Sequence, residues 1–292
     1  KEKILNKSGG SKRSRQLGWF WSLPGLIFLT LFAAFPVLSM LFMSILTAGR
    51  FGGVTTPFTV NNFVRATDFT FLKVIGTSLL ISAATAILSL LIGFPTALFI
   101  SRLSRKWQII LVIAIVMPYW TNFLVRTYAW LVLLNNEGII NKFLERIGLI
   151  NQPIEMLYTP FAVIVGMTYL YLPLMILPIY AALEKVDKNL IEAAHDLGSS
   201  TWKSLKTISI PLAMPGILIG LIFVFVPSMG NFVVPEILGG GKTVMIGNLV
   251  RDQFLKARDW PFGATFALIL TIILVILISI QSRVSKRVDI NA

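Results

Sequence analysis

The stretch PFAVIVGMTYLYLPLMILPIYAAL, Pro160–Leu183, contains neither an acid nor a base. A helix needs ~20 predominantly apolar residues to cross the hydrocarbon core of a bilayer, and this stretch is longer. Working outward, five more apolar segments of similar length appear, roughly at Trp19–Leu46, Val74–Ile100, Trp107–Leu134, Leu212–Leu238 and Phe262–Gln281. The composition agrees. Of 292 residues, 55% are hydrophobic and 13% charged, where a soluble domain carries about 25% charged residues. The expected fold is an all-α polytopic membrane protein with six transmembrane helices.

The formal net charge of +13 invites a nucleic-acid reading. Membrane proteins, however, collect Lys and Arg in cytoplasmic loops, which raises the net charge with no nucleic acid involved. Four segments do so: Lys1–Gln16, the Ser101–Lys106 turn (Arg102, Arg105, Lys106), Glu184–Pro211 (Lys185, Lys188, Lys203, Lys206) and the C-terminus (Arg283, Lys286, Arg287). Their alternation with less basic loops places both termini in the cytoplasm. Gly239–Trp260 opposes the rule, since it holds Lys242, Arg251, Lys256 and Arg258 yet must lie outside. Residues 1–18 read as a basic cytoplasmic tail and 19–292 as the membrane domain. The run after the tail exceeds the ~7–15 apolar residues of a signal-peptide core, so it reads as a retained span. Cysteine is absent, which excludes disulfides and thiolate metal sites, and His195 alone cannot form a histidine cluster. No metal and no cofactor are expected.

Glu184–Pro211 differs from the other loops. Asp187 can N-cap a short helix through Leu197, and Gly198 can supply the left-handed residue that ends it. Ser199 or Ser200 can cap a second helix, with Trp202, Leu205 and Ile208 on one face. Two short helices bent at a glycine make a rigid knob, and the small Ala193 and Ala194 let a partner approach closely. Glu192-Ala193-Ala194, then Gly198 after three residues, then Ile208-Ser209-Ile210-Pro211 after nine more, resembles the EAA loop of ABC import permeases. The departure is Ile210, where that family usually has Leu. Met117–Trp130 (MPYWTNFLVRTYAW), Gly230–Gly240 (GNFVVPEILGG) and Arg258–Gly263 (RDWPFG) resemble the permease subunits of spermidine/putrescine importers. The resemblance covers most of the chain from the first span onward.

It implies a type I importer fold in a bacterial inner membrane. It also implies two ATP-hydrolysing subunits, a second permease that is a paralogue, and an extracytoplasmic substrate-binding protein, all working in membrane lipid. Glu192, Ala193, Ala194, Asp196 and Gly198 would couple the chain to the ATPase. Hydrolysis would belong to that partner. Gly241-Lys242-Thr243 ends like a phosphate-binding loop, but the position five before its Gly-Lys pair is Glu236, where the motif needs glycine. This chain is therefore not expected to be an enzyme.

Two intramembrane clusters combine polarity with aromatics. Tyr119, Asn122 and Arg126 fall on one face of a continuous third helix, with Trp120, Phe123, Thr127 and Trp130 beside them. In the fifth segment Ser228, Asn231 and Glu236 sit among Pro227 and Pro235. An ionisable residue at a helix centre costs ~2.5–3.5 kcal/mol on insertion scales, so function is the default expectation for Arg126 and Glu236. Two readings stay open: these residues line a substrate path, or Arg126 and Glu236 form a structural pair. An import permease for another small solute also stays open, and prolines at positions such as 95, 118, 173, 178, 215 and 227 would suit a self-contained secondary transporter or channel with broken helices. That reading leaves the knob at Glu192–Pro211 unexplained.

Overall fold

The computed structural model describes residues 10–291. Helix α1 covers Gly10–Ser44, followed by a two-residue antiparallel hairpin, β1 (Thr47–Ala48) on β2 (Val54–Thr55), and by α2, Asn61–Ala66. Next come α3 (Phe69–Arg102), α4 (Arg105–Val116), α5 (Phe123–Leu134), α6 (Ile139–Arg146) and α7 (Pro160–Leu183). Two short helices, α8 (Lys188–Asp196) and α9 (Thr201–Ser204), lead into α10 (Ile210–Gly230). The chain closes with α11 (Val233–Gly239), α12 (Ile246–Leu255) and α13 (Trp260–Asn291). Residues 1–9 of the basic tail lie outside the described residues, and α1 begins within the rest of it.

Five helical stretches are long and apolar enough to cross a membrane: Ser22–Ser44, Phe69–Arg102, Pro160–Leu183, Thr201–Gly230 and Trp260–Arg283. The sixth segment is where expectation and structure part. Instead of one helix through Trp107–Leu134, α4 ends in a 3-10 turn at Met117–Trp120, and the direction changes by 93° before α5. The fifth segment also breaks, at Asn231, so that α11 is separate from α10. Proline alone does not explain this, because α7 contains Pro173 and Pro178 and remains one helix.

The core lies between α3, α7 and α10. Toward the α8 end, Ala97 and Ile100 pack with Met175, Ile176, Ile179, Ala213 and Val224. Toward the other end, Val163, Met167 and Leu170 pack with Leu134, Val234, Leu238 and Met245. Contact between α7 and α10 depends on Gly216, where a Cβ would stand 2.4 Å from the Pro178 carbonyl oxygen. Away from α8, Arg65 joins Asp259 at 3.0 Å, and its guanidinium lies 4.0 Å over the Phe262 ring. That ring packs with Phe71 and Phe266, tying α2 and α3 to α13. Much apolar side-chain surface of α1 and α13 remains exposed, as lipid-facing helices require.

Candidate functional site

Three neighbourhoods carry the residues of interest. In the first, the Asp187 carboxylate accepts from the Asn189 N–H at 3.0 Å and starts α8. Helix α8 ends where the Gly198 N–H donates to His195 O and the Ser199 N–H to Ala194 O, with Gly198 at φ +78°. Only glycine takes that conformation freely. Ser200 Oγ then accepts from the Lys203 N–H at 3.3 Å and caps α9. A π-helical turn, Leu205–Ser209, carries α9 straight into α10. The second short helix is thus the first turn of a span, in which Trp202 is exposed while Leu205 and Ile208 are half-buried. The knob offers Leu190, Leu197 and Trp202 to the surroundings, with Leu197 at 89% exposure. Glu192, Ala193 and Asp196 are exposed beside them, and Ala194 is half-buried. A cavity of about 520 Å³ separates this knob from the ends of α3 and α4, lined by Arg102, Arg105, Glu184, Glu192 and His195 among others.

The second neighbourhood is the meeting point of the two broken spans. The turn ends at Thr121, and Asn122 restarts the helix by accepting the Leu124 N–H on its side chain at 2.8 Å. Asn122 is therefore a cap, and the single face expected for Tyr119, Asn122 and Arg126 does not exist. The bend still joins two of them: the Arg126 guanidinium stands 4.8 Å from the Tyr119 ring centroid. Tyr119 Oη donates to the Leu170 carbonyl of α7 at 2.6 Å. The second break reaches the adjacent residue of α7, where Asn231 Nδ2 donates to Tyr171 Oη at 2.7 Å and Asn231 Oδ1 accepts the Val234 N–H. Both breaks are stitched to Leu170–Tyr171, near the middle of a continuous span. Trp120 is 78% exposed, whereas Trp130 packs edge-on against Tyr169 with centroids 5.6 Å apart.

The third neighbourhood bears on the structural pair, one of the two readings left open for Arg126 and Glu236. Glu236 does not meet Arg126; its carboxylate accepts from Arg251 at 2.9 Å and from Asn248 Nδ2 at 3.3 Å. Among the described residues Arg126 forms no ion pair, and its Nε is buried without a hydrogen-bond partner. Arg251 also binds Asp252, which Lys256 joins at 3.1 Å. Burial disfavours the charged form of Asp252, yet hydrogen bonds from Arg251 and Lys256 outweigh it and hold the carboxyl below its ordinary range. Asn248 closes the second break from outside by donating to Phe232 O at 2.8 Å. Sequence reading missed Tyr171, Asn248 and Arg251. Arg251 was visible only as one of the loop bases that opposed the expected orientation.

All three neighbourhoods fall within residues 89–290, which match the family model described as "Binding-protein-dependent transport system inner membrane component". The chain belongs to this family and is a multi-pass inner-membrane permease of an ATP-binding-cassette importer. It is 39% identical over 258 residues to the spermidine/putrescine transport system permease protein PotB of Escherichia coli (strain K12), covering 88% of this chain and 94% of PotB. It is 30% identical to the inner membrane ABC transporter permease protein YdcU of the same organism, covering 91% of this chain and 92% of YdcU. In fold it matches a crystallised bacterial ABC transporter involved in import of the acidic polysaccharide alginate. That match has a TM-score of 0.74 at 16% identity, covering 94% of this chain and 96% of the other. Membership sets aside the self-contained secondary transporter.

Proposed function

We propose that this permease carries polyamines of the spermidine and putrescine class into the cell, driven by ATP hydrolysis in a separate subunit. The observation that carries the substrate reading is the 39% identity to PotB over nearly the whole of both chains. The geometry is compatible with it. Two discontinuous helices meet near mid-span, and non-helical backbone at membrane depth persists where it is buried in protein or lines a water-filled cavity. Tyr119 and Trp120 offer aromatic faces there, and cation–π contacts contribute ~0.5–2 kcal/mol each to holding an ammonium group. Tyr119, Trp120, Asn122 and Arg126 line the path, while Trp130 and Asn231 hold its walls. Toward the outer mouth Glu236 keeps 45% of its side chain exposed, so a cationic substrate can compete with Arg251 for it. Arg126 takes its countercharge from the second permease, a paralogue.

Both termini and the Glu184–Pro211 loop face the cytoplasm. The outer Gly239–Trp260 loop, whose bases opposed this orientation, holds Arg251 and Lys256 in ion pairs with Glu236 and Asp252. Two ATPase subunits dock on the α8 knob of this chain and its counterpart, using Glu192, Ala193, Ala194, Asp196 and Gly198. An extracytoplasmic binding protein delivers the substrate. The test is uptake into proteoliposomes holding the assembled complex, with binding protein and ATP, against spermidine, putrescine and unrelated solutes such as maltose. Uptake of polyamines alone is expected; uptake of another solute class with none of polyamine would overturn the substrate reading.

A further inference from the structure

Helix α4, RKWQIILVIAIV, is almost wholly apolar, yet its one buried residue is Gln108. A glutamine buried more deeply than the aliphatic residues beside it, of which Leu111, Val112 and Ile115 pack partly against the core, calls for a physical reason, because an unpaired buried amide is costly. Every polar atom of Gln108 is engaged. Nε2 donates to Ser101 O at 3.1 Å and to Leu103 O at 3.0 Å, holding the turn between α3 and α4. Oε1 accepts from Tyr180 Oη of α7 at 3.2 Å, and Tyr180 is itself 9% exposed. Four residues beyond Tyr180, Glu184 ends α7 and begins the segment leading to α8; Arg105, at the start of α4, pairs with it. At the far end of α4, Tyr119 donates to Leu170 O, again on α7.

Helix α4 and the turn after it are therefore strapped antiparallel to α7 by polar ties at both ends, Gln108–Tyr180 beside the Arg105–Glu184 pair at one and Tyr119–Leu170 at the other. Apolar contacts between lipid-facing helices are non-directional and slide readily, whereas a hydrogen-bonded pin fixes register. We propose that Gln108 and Tyr180 are positioning residues of transport. They make α4 move with α7, so that a displacement of α8 by the ATPase reaches the bend at Met117–Trp120 and the path beside it. The cavity between α8 and the ends of α3 and α4 leaves the knob room to move while the pin holds the strap. This proposal rests on the reading that Glu184–Pro211 receives the ATPase.

The test uses the reconstituted complex and reads three quantities: ATPase capture, ATP hydrolysis, and uptake per ATP hydrolysed. Tyr180→Phe removes one hydroxyl and little else; Gln108→Leu keeps the volume and removes the amide. A net buried hydrogen bond is worth about fivefold in an equilibrium, so uptake per ATP should fall by about that factor in each while ATPase capture persists. A second arm replaces Gln108 and Tyr180 together by cysteines in this cysteine-free chain. A short bifunctional thiol reagent joining them should restore coupling. Unchanged uptake per ATP in Tyr180→Phe and Gln108→Leu overturns the proposal, as does a cross-link that stops uptake, since α4 would then have to part from α7. If the unaltered chain captures no ATPase, or captures it equally well after Glu192→Lys, the docking reading itself falls.

Discussion

The α8 knob and the mid-span junction both hold polar residues among apolar ones, but they present them in opposite ways. At the knob, backbone ends are satisfied locally by Asp187, Gly198 and Ser200, and the side chains left over point away from the body. Leu190, Leu197 and Trp202 remain exposed there. At the junction, Tyr119 and Asn231 are turned inward and bonded to α7, so that two broken helices are fixed to one unbroken span. Lipid has no water with which to hydrogen-bond freed backbone groups, so broken helices persist only where protein or a cavity satisfies them. On the docking reading proposed above, the first region serves another protein and the second its own bundle. Mutations should divide accordingly, between loss of assembly and loss of transport per assembled complex.

The largest effect is expected from Glu192→Lys. Glu192 is exposed, so reversing its charge leaves this fold intact and acts on the docked partner. A mispaired interfacial charge costs about 2 kcal/mol or more, so ATPase capture should fall more than tenfold. Gly198→Ala is the milder companion. A Cβ there meets nothing within 4 Å, but the φ of +78° remains, and an L-residue so placed loses roughly 1–2 kcal/mol. Co-purification of the ATPase from detergent measures both. Equal capture by the unaltered chain and Glu192→Lys would erase the distinction between the two regions.

Trp120→Leu comes next and should do the reverse. At 78% exposure Trp120 packs little against its own chain, so replacing it should leave assembly and thermal stability alone. Losing one cation–π face at ~0.5–2 kcal/mol predicts uptake per complex lower by between twofold and thirtyfold. Uptake of a polyamine series at fixed complex concentration reads this out, and an unchanged rate would remove Trp120 from the path.

The two regions also differ in how far the amino-acid sequence discloses them. Asp187, Gly198 and Ser200 act within three residues of themselves, and caps follow from local chemistry, so the knob was legible down to single residues. The π turn at Leu205–Ser209 was not, because nothing local distinguishes it from α-helix. At the junction Tyr119, Arg126 and Asn231 were singled out but wrongly arranged, and Tyr171 was missed. Asn122 carries a cap signal four residues after Pro118, yet Pro173 and Pro178 pass through α7 without a break. Whether a proline breaks a helix depends on a distant partner, here the carbonyl of Leu170. Likewise Glu236 and Arg126 are the conspicuous intramembrane charges, but pairing is decided by how α12 folds back, and it delivers Arg251.

That exchange of partners makes Glu236→Gln the sharpest probe of where the path ends. The carboxylate is about half exposed, and pairs of that kind contribute only ~0–1 kcal/mol to stability. Little unfolding is therefore expected, and uptake per complex should fall by no more than about fivefold, the factor that 1 kcal/mol allows. Adding Arg251→Gln to it should cause no further fall in uptake if a cation reaches Glu236 by displacing Arg251. Normal uptake in Glu236→Gln would confine Glu236 to holding α12.

The smallest expected effect separates the outer ion network from the knob by pH. Asp252 titrates below its ordinary value because Arg251 and Lys256 stabilise its charge. A carboxyl depressed by folding adds stability that is fully present above its unfolded pKa of ~3.9 and is lost as pH falls through the lower, folded value. The thermal midpoint of the purified permease in detergent should therefore be insensitive to Asp252 between neutral pH and about pH 5. Below about pH 4 it should decline, and Asp252→Asn should flatten that part of the curve. The variant also loses the charge that opposes Arg251 and Lys256, so its midpoint at neutral pH should lie slightly below that of the unaltered chain. Glu192→Lys should leave the acid limb unchanged, because Glu192 forms no ion pair among the described residues. An acid limb that disappears in Glu192→Lys and persists in Asp252→Asn would mean that the knob, not the outer network, is bound to its own chain by charge.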